Sequence, residues 1–368
     1  MKTVCIVVGA RPNFVKVAPL VRAIVRSGVG RCRLVYAGSE SDATLEPTLF
    51  DDLQMPRPDV FLGVESTRLN EITSQVMARF DAFLDGEAPT LPDVVVVVDD
   101  LASTMAAAIV AKKRGLRLAH LVAGTRSFDM TMPKEVNRLV IDALSDILFT
   151  AGTRSSSVAA REQGDSAATY MVGNILMDSL RFCRPRFRRP AVLPPVDAAE
   201  SRGATPLAPI DGSYIVLTVN RRALLADTGK LHALLQAVAT SAAGTPVVCP
   251  LRDAARRAFG LQSTAFTLLP PLPYLEFGWL TAHAKGIITD SGNVAEEATF
   301  NGVPCITLNS YTEHQETVTT GTNVLVGEDP QLLSEAVARM VAGQWKQGAL
   351  PDRWDGRTAE RIASILLA

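Results

Sequence analysis

Short runs of β-branched residues alternate along this chain with longer segments of helical periodicity, and this alternation limits the fold more than any other feature. Val4–Val8 and Val94–Val98 are apolar runs, and helical patterns follow them at Pro12–Ser27 and Ser103–Arg114. Strands buried on both faces have such continuous apolar runs, and strand–helix alternation is typical of parallel sheets. The sequence therefore predicts an α/β protein built from βαβ units.

The alternation continues in two series, which predict two doubly wound domains. Further strands are predicted at 33–36, 118–122, 147–150, 214–219, 245–250, 286–289 and 304–308. Further helices are predicted at 69–84, 133–143, 230–242, 275–284, 294–300, 331–342 and 358–367. We expect an N-terminal domain (1–183), a proline-rich linker (184–212), a C-terminal domain (213–354) and a final helical segment (355–368) that can pack back on the N-terminal domain.

Composition narrows the classes of partner. The chain has 368 residues, of which 47% are hydrophobic, and its 37 basic and 38 acidic residues give a net charge of −1. That balance points to neither nucleic acid nor an anionic membrane. The five cysteines are scattered without metal-like spacing, and the chain enters directly into a strand without a leader pattern. We expect a cytoplasmic protein without disulfides, metal or cofactor.

Ligands of open α/β sheets bind beyond the carboxyl ends of the strands, so the chemistry is expected there. After the first strand, Gly9 permits a tight turn and Arg11 stands at a helix N-terminus, where its guanidinium suits a phosphate. The run lacks GxGxxG, which disfavours a nucleotide fold of the NAD type. After Val98 stand Asp99 and Asp100, of which one can cap the next helix and the other can face a ligand.

Two further segments follow strands in the same way. His120 lies within an apolar strand, which favours a core histidine, and Glu135 follows at a loop-to-helix junction. In Thr289–Ala298 a strand ends in a Ser-Gly-Asn turn and opens a helix with two acids. Small residues let a phosphate approach backbone N–H groups, and a carboxylate one turn later can accept from ribose hydroxyls. A simple capping role for Ser291 or Asn293 is the alternative.

Taken together these segments resemble the non-hydrolysing UDP-N-acetylglucosamine 2-epimerase family. The resemblance rests on stretches in the family's order, namely Gly9–Leu20, His120–Arg138, Val172–Asn174, Thr289–Ala298 and Thr312–Asn323. It implies a glycosyltransferase-B-like fold of two Rossmann-like domains, without metal and usually dimeric, with the nucleotide sugar in the interdomain cleft. It also implies a homodimer here.

The resemblance implies roles for individual residues. Phosphate contacts fall to Arg11 and Ser291–Asn293, and the ribose contact falls to Glu297. The expected catalytic residues are Asp100, Glu135, Lys134 and Arg11. The expected nucleotide-sugar-binding residues are Arg11, Lys16, Asn220, Arg221, Ser291, Gly292, Asn293, Glu297 and His314.

The departures from the family's pattern concern acid–base groups. The family's His-Gly-Asp-Thr is Val98–Leu101 here, so only Asp100 survives, and the acid of His-Val-Glu-Ala-Gly is Val122. The first acid of Pro-Glu-Glu is Lys134. In the second domain, Asn220 replaces the histidine of Gly-His-Arg-Arg, Asn293 replaces a glycine of Ser-Gly-Gly, and Glu-Arg-Pro-Glu is Glu313–Glu316.

Epimerisation moves protons on both faces of the sugar, and a valine cannot do so. These losses favour an epimerase-like glycosyltransferase that moves a sugar from an NDP-sugar to the hydroxyl or thiol of a small acceptor, with bacterial natural-product (antibiotic) biosynthesis as a setting. Two alternatives stay open: a 2-epimerase acting on UDP-N-acetylglucosamine or a related NDP-sugar, and an inert nucleotide-sugar-binding regulator.

Overall fold

The computed structural model describes residues 1–87, 90–193 and 212–368, and the chain divides into two compact units. Unit 1 comprises Met1–Phe182 with Asp352–Ala368, and unit 2 comprises Cys183–Pro351. Among the described residues no helix is long and apolar enough to cross a bilayer. All five cysteines are free in the structure.

Unit 1 contains a seven-stranded parallel sheet with the order β3-β2-β1-β4-β5-β6-β7. Its strands are β1 Lys2–Val8, β2 Gly30–Tyr36, β3 Val60–Phe61, β4 Val94–Val98, β5 Arg117–Ala123, β6 Ile147–Thr150 and β7 Ala168–Met171. Its helices are α1 Arg11–Ser27, α2 Leu49–Leu53, α3 Leu69–Glu87, α4 Ala102–Lys113, α5 Pro133–Leu144, α6 Thr153–Gln163 and α7 Ile175–Cys183. The central strand β4 is wholly buried, which explains why its five residues are all valine.

Unit 2 contains a six-stranded parallel sheet with the order β10-β9-β8-β11-β12-β13. Its strands are β8 Ile215–Thr218, β9 Val247–Pro250, β10 Thr267–Leu269, β11 Gly286–Thr289, β12 Cys305–Thr307 and β13 Asn323–Leu325. Its helices are α8 Arg222–Ala226, α9 Thr228–Ser241, α10 Asp253–Phe259, α11 Tyr274–Ala282, α12 Gly292–Asn301, α13 Glu316–Thr319 and α14 Pro330–Val341. In both sheets the carboxyl ends of all strands lie at one edge, which we call the polar edge of that unit.

The last helix, α15 Thr358–Leu367, belongs to unit 1. The Asp178 carboxylate accepts hydrogen bonds from the N–H groups of Thr358 (3.1 Å) and Ala359 (2.8 Å), so a side chain of α7 caps this helix. Trp354, which is 1% exposed, donates its indole N–H to the Ala151 carbonyl at 3.1 Å. These contacts hold residues 352–368 on unit 1 rather than on the unit that precedes them in the chain.

The segment assigned to a linker at 184–212 differs from that expectation in its first part. Leu193 lies in the core of unit 2, and Phe187 packs so closely on Gly278 that a Cβ there would meet its ring at 2.4 Å. Residues 194–211 lie outside the described residues. The described part of this segment is therefore folded onto unit 2 by its apolar side chains.

Several short elements were not predicted, and each lacks the signal that periodicity requires. Strand β7 is half exposed, β3 has two residues, and β10 and β13 have three residues each. Helix α6 has the sequence TRSSSVAAREQ, in which few apolar residues mark a buried face.

Candidate active site

The turn after β1 brings α1 close to the start of α4. A Cβ at Gly9 would lie 1.9 Å from the Ser103 hydroxyl, so only glycine fits there. The Asn13 side-chain oxygen accepts the N–H groups of Gly9 (2.9 Å) and Ala10 (3.2 Å). Arg11, predicted to bind phosphate, begins α1 and donates through Nε to Glu46 at 2.6 Å. Its guanidinium is therefore held by a carboxylate at this edge.

Asp99, which follows β4, joins this turn to the sheet. Its carboxylate accepts from the Asn13 amide at 2.8 Å and pairs with the Lys16 ammonium at 2.6 Å. The Lys16 side chain is 7% exposed, so the residue predicted to contact the nucleotide is tied inside unit 1. Its nucleotide contact stays a prediction.

Asp100, Lys134, Glu135 and Arg138 form a charged cluster at the polar edge of unit 1. Arg138 of α5 donates to the Asp100 carboxylate through Nε (2.9 Å) and Nη2 (2.6 Å), and the Lys134 ammonium lies 3.2 Å from its other oxygen. Burial raises the pKa of Asp100, but the charges of Lys134 and Arg138 outweigh burial and hold that pKa below its ordinary value. Asp100 is therefore a carboxylate at neutral pH, and Lys134 is 55% exposed beside it.

Glu135 is buried and saturated with donors. It accepts from the Ser127 N–H (2.8 Å), the Ser127 hydroxyl (2.9 Å), the Phe128 N–H (3.0 Å) and Arg138 Nη1 (3.1 Å). Burial raises its pKa, but these donors lower it further than burial raises it, so Glu135 is ionised as well. The structure therefore brings together three predicted catalytic residues, Asp100, Lys134 and Glu135.

Arg138 is the site residue that the sequence analysis did not select. It lies three and four positions after Glu135 and Lys134 on α5, a spacing that places the three side chains on neighbouring positions of one helix face. The Asn137 amide donates to the Asp100 carbonyl at 2.8 Å and fixes the same junction. The helical spacing alone could have drawn attention to Arg138.

His120 is the buried histidine that the sequence favours. It is 1% exposed, its Nδ1 lies 2.5 Å from Asp142, and its Nε2 lies 2.9 Å from the Asp99 carbonyl. Burial raises the pKa of Asp142, but His120 and Arg126 lower it below its ordinary value. Both ring nitrogens of His120 are thus engaged beneath the polar edge.

Backbone strain concentrates at the polar edge of unit 1. Asp99 (φ 59°), Val122 (φ 74°) and Phe128 (φ 60°) are three of the six described non-glycine residues with positive φ. The pairing of β5 with β6 shifts register between Leu121 and Ala123, around Val122. A β-branched residue in the left-handed region is a true outlier, and such residues cluster at functional sites.

The polar edge of unit 2 is built on backbone N–H groups. The Asp290 carboxylate accepts from the N–H groups of Asn220 and Arg221, both at 2.7 Å. Burial raises the pKa of Asp290, and the two N–H donors oppose that rise only in part. Arg221 donates to the Asn309 side-chain oxygen at 2.8 Å and pairs with Glu328. The backbone after β8 is thereby fixed against the end of β11.

Helix α12 begins at this edge with the predicted Ser-Gly-Asn turn. Ser291 is its N-cap, but its side chain makes no capping hydrogen bond, and a Cβ built at Gly292 would meet no atom of another described segment within 4 Å. The simple capping role considered for Ser291 is therefore not observed. Glu297 is 6% exposed on this helix, and His314 lies 3.7 Å from Glu296, so both predicted ligand residues are buried near it.

Among residues 1–87, 90–193 and 212–368 no group of three or more His, Cys, Asp or Glu side chains could hold a metal ion. Metal independence, a bound ligand between the domains and a homodimer stay predictions.

The chain matches a known protein family over most of its length. A family model described as UDP-N-acetylglucosamine 2-epimerase matches residues 22–367. The Pseudomonas aeruginosa UDP-2,3-diacetamido-2,3-dideoxy-D-glucuronate 2-epimerase is 32% identical, and 98% of each chain is covered. The Methanocaldococcus jannaschii UDP-N-acetylglucosamine 2-epimerase is 30% identical, again with 98% of each chain covered.

Solved structures agree with this match. The M. jannaschii UDP-GlcNAc 2-epimerase in complex with UDP-GlcNAc and UDP has a TM-score of 0.82 at 28% identity, covering 100% of this chain and 99% of that one. Phytolacca americana UGT2, complexed with UDP-2fluoro-glucose and pterostilbene, shares the fold alone, with a TM-score of 0.57, 12% identity and coverage of 100% and 94%. The predicted fold class, two Rossmann-like domains of glycosyltransferase-B type, is confirmed. The chain belongs to the UDP-N-acetylglucosamine 2-epimerase family.

Proposed function

We propose that the protein is a 2-epimerase that acts on a UDP-linked 2-acetamido sugar. The observation that carries the proposal is the charged cluster around Asp100, in a chain that matches the family model from residue 22 to 367. The residue pattern by itself favours glycosyl transfer, with 2-epimerisation as the alternative. The names of the relatives favour 2-epimerisation, because both relatives described above are named as 2-epimerases of UDP-linked acetamido sugars.

The diphosphate is assigned to the polar edge of unit 2. The N-terminus of α12 offers unpaired N–H groups and the positive end of a helix dipole, and the space around Gly292 is open. Asp290 holds the neighbouring Asn220–Arg221 backbone in place. The Arg221 side chain is 39% exposed at the same edge. The buried Glu297 on the same helix is assigned to the ribose, as the family resemblance implies.

The sugar is assigned to the polar edge of unit 1. In the reaction a base takes the C2 proton, the C–H electrons form a C1–C2 double bond, and the C1–O electrons leave on the diphosphate. Returning a proton to the other face of C2, with the diphosphate re-adding at C1, gives the epimer. Asp100 is the proposed base, because Lys134 and Arg138 keep its carboxylate ionised at neutral pH. A general base of this kind contributes about 10² to 10⁴-fold to a rate.

Glycosyl transfer is the second candidate, and one feature of the site favours it. Val122 stands where the family resemblance expects an acid, and Glu135 is held by four donors that lower its pKa. Neither Val122 nor Glu135 is therefore assigned as the group that donates a proton to the second face of C2. In transfer, the C1–O bond breaks and its electrons leave with UDP, an acceptor oxygen or sulfur bonds to C1, and Asp100 accepts the acceptor's proton.

Incubation with UDP-sugars in D₂O tests the proposal. The substrates should include UDP-N-acetylglucosamine and UDP-2,3-diacetamido-2,3-dideoxy-glucuronate, since the relatives named above differ between them. Epimerisation introduces deuterium at C2 without any acceptor, whereas transfer releases UDP only when an acceptor is present. Binding without turnover under both conditions would identify an inert nucleotide-sugar-binding protein.

A further inference from the structure

The loop between β5 and α5 carries an exposed aromatic residue whose backbone is strained. Phe128 has φ 60° and is 58% exposed, and Met130 in the same loop is 61% exposed. Phenylalanine in the left-handed region is unfavourable, and an exposed ring contributes little packing in return. Strain of this kind is retained where the surrounding structure enforces it, often at a site of function.

Glu135 enforces this conformation. Three of its four donors come from Ser127 and Phe128, including the Phe128 N–H at 3.0 Å. The fourth donor is Arg138, whose other guanidinium nitrogens bind Asp100. The backbone of Phe128 is thus joined through one carboxylate and one guanidinium to the proposed catalytic base.

We propose that Phe128 is a specificity-determining residue that contacts the C–H face and acetamido methyl of the sugar, and that Glu135 is the positioning residue that presents it. The proposal rests on the proposed function, because it takes the sugar to lie at the polar edge of unit 1. Aromatic rings offer a rigid apolar face, and ligand sites are lined mainly by such side chains around a few polar groups. Glu135 thereby acts on the substrate through the loop rather than as an acid or base.

The variant Phe128→Asn separates the ring from the backbone conformation. Asparagine tolerates positive φ better than phenylalanine does, so the loop keeps its shape while the ring is lost. Ala243→Asn is the matched control, because Ala243 (φ 49°) is an exposed position with the same backbone class in unit 2. Phe128→Tyr is the conservative variant that keeps an aromatic face.

Calorimetric titration with UDP and with the UDP-sugar measures the sugar's share of binding, and steady-state rates give KM and kcat. Phe128→Asn is expected to raise the Kd and KM of the UDP-sugar about tenfold. The Kd of UDP and the kcat should change little, and the Tm should not fall. Phe128→Tyr should restore the affinity, and Ala243→Asn should leave every binding constant unchanged.

An unchanged Kd for the UDP-sugar in Phe128→Asn would overturn the proposal, and so would an equal loss for UDP, since the contact would then not be with the sugar. A shift from dimer to monomer in sedimentation, with unchanged affinity, would assign the ring to a contact between copies of the chain and would also overturn it. Wild-type protein that binds neither UDP nor a UDP-sugar would reject the proposed function together with this contact. Wild-type binding with an unaffected variant rejects the contact alone.

Discussion

The two polar edges occupy the same place on their sheets but are built from different groups. In unit 1 side-chain carboxylates are matched by side-chain cations, as in the pairs of Asp99 with Lys16 and of Asp100 with Lys134 and Arg138. In unit 2 a carboxylate, Asp290, holds backbone N–H groups, and a helix begins in open space at Gly292. Fixed backbone dipoles suit a constant anion, whereas paired side chains can exchange partners and protons.

The pKa shifts of the carboxylates also differ between the two polar edges. Cations lower the pKa of Asp100 in unit 1, whereas burial raises that of Asp290 in unit 2. Among the described residues, the non-glycine residues with positive φ at a polar edge belong to unit 1 and are Asp99, Val122 and Phe128. Chemistry is therefore expected from unit 1 and nucleotide binding from unit 2.

Asp100→Asn is expected to have the largest effect. The turnover of UDP-sugar should fall by about 10²-fold or more, because the proposed base is lost. Since Arg138 is 2% exposed and would lose a charged partner, the free energy of unfolding should fall by about 3 kcal/mol. Steady-state rates and urea unfolding measure the two effects.

Asp290→Asn is the control for that experiment in unit 2. It should weaken UDP binding while the kcat at saturating substrate falls far less than in Asp100→Asn. Full activity of Asp100→Asn would remove the proposed base and with it the division of labour between the edges.

The pH dependence of stability should have opposite signs at the two edges. The folded pKa of Asp100 is lowered, so its stabilisation is present above the unfolded value of 3.8 and is lost as the pH falls. The folded pKa of Asp290 is raised, so its stabilisation is present below 3.8 and is lost as the pH rises through its folded value.

Urea unfolding between about pH 2.5 and pH 7, as the difference between wild type and each Asp→Asn variant, measures both effects. For Asp100→Asn the deficit relative to wild type should shrink as the pH falls. For Asp290→Asn the free energy of unfolding should increase relative to that of wild type as the pH rises. If the stability difference changed with pH in the same direction for both variants, the two edges would not differ in the way proposed.

Val122→Asn is expected to have the smallest effect. Asparagine adopts φ 74° more readily than a β-branched residue, so the free energy of unfolding should rise by about 1 kcal/mol. Thermal unfolding measures this change, and Val294→Asn, in a helix of unit 2, should instead destabilise the protein because Val294 is 9% exposed. A loss of stability in Val122→Asn would show that the valine packs well enough to outweigh its strain.

Much of this organisation could be predicted from the sequence. Apolar runs such as Val94–Val98 define buried strands, and the residues that follow them fall at the polar edges because parallel strands share one carboxyl edge. Asp100 was predicted because it follows such a strand, whereas Lys134 and Glu135 were predicted from the family resemblance at the start of α5. The motifs also identified the family.

What could not be predicted depends on contacts distant in sequence. The guanidinium of Arg138 reaches Asp100 across 38 residues, and Asp178 caps α15 across 180 and 181 residues. The positive φ of Val122 contradicts its local preference, so only the fold reveals it. Sequence likewise could not show that Glu135 accepts four hydrogen bonds, from Ser127, Phe128 and Arg138.

Isotope exchange at C2 of the sugar distinguishes 2-epimerisation from glycosyl transfer. The protein is incubated with a UDP-linked 2-acetamido sugar in D₂O, without an acceptor, and the C2 proton is followed by NMR. For a 2-epimerase we expect that the C2 proton signal disappears while the 2-epimer accumulates, and that Asp100→Asn slows both. Release of UDP that requires an acceptor, with the C2 proton retained, would contradict 2-epimerisation and establish glycosyl transfer instead.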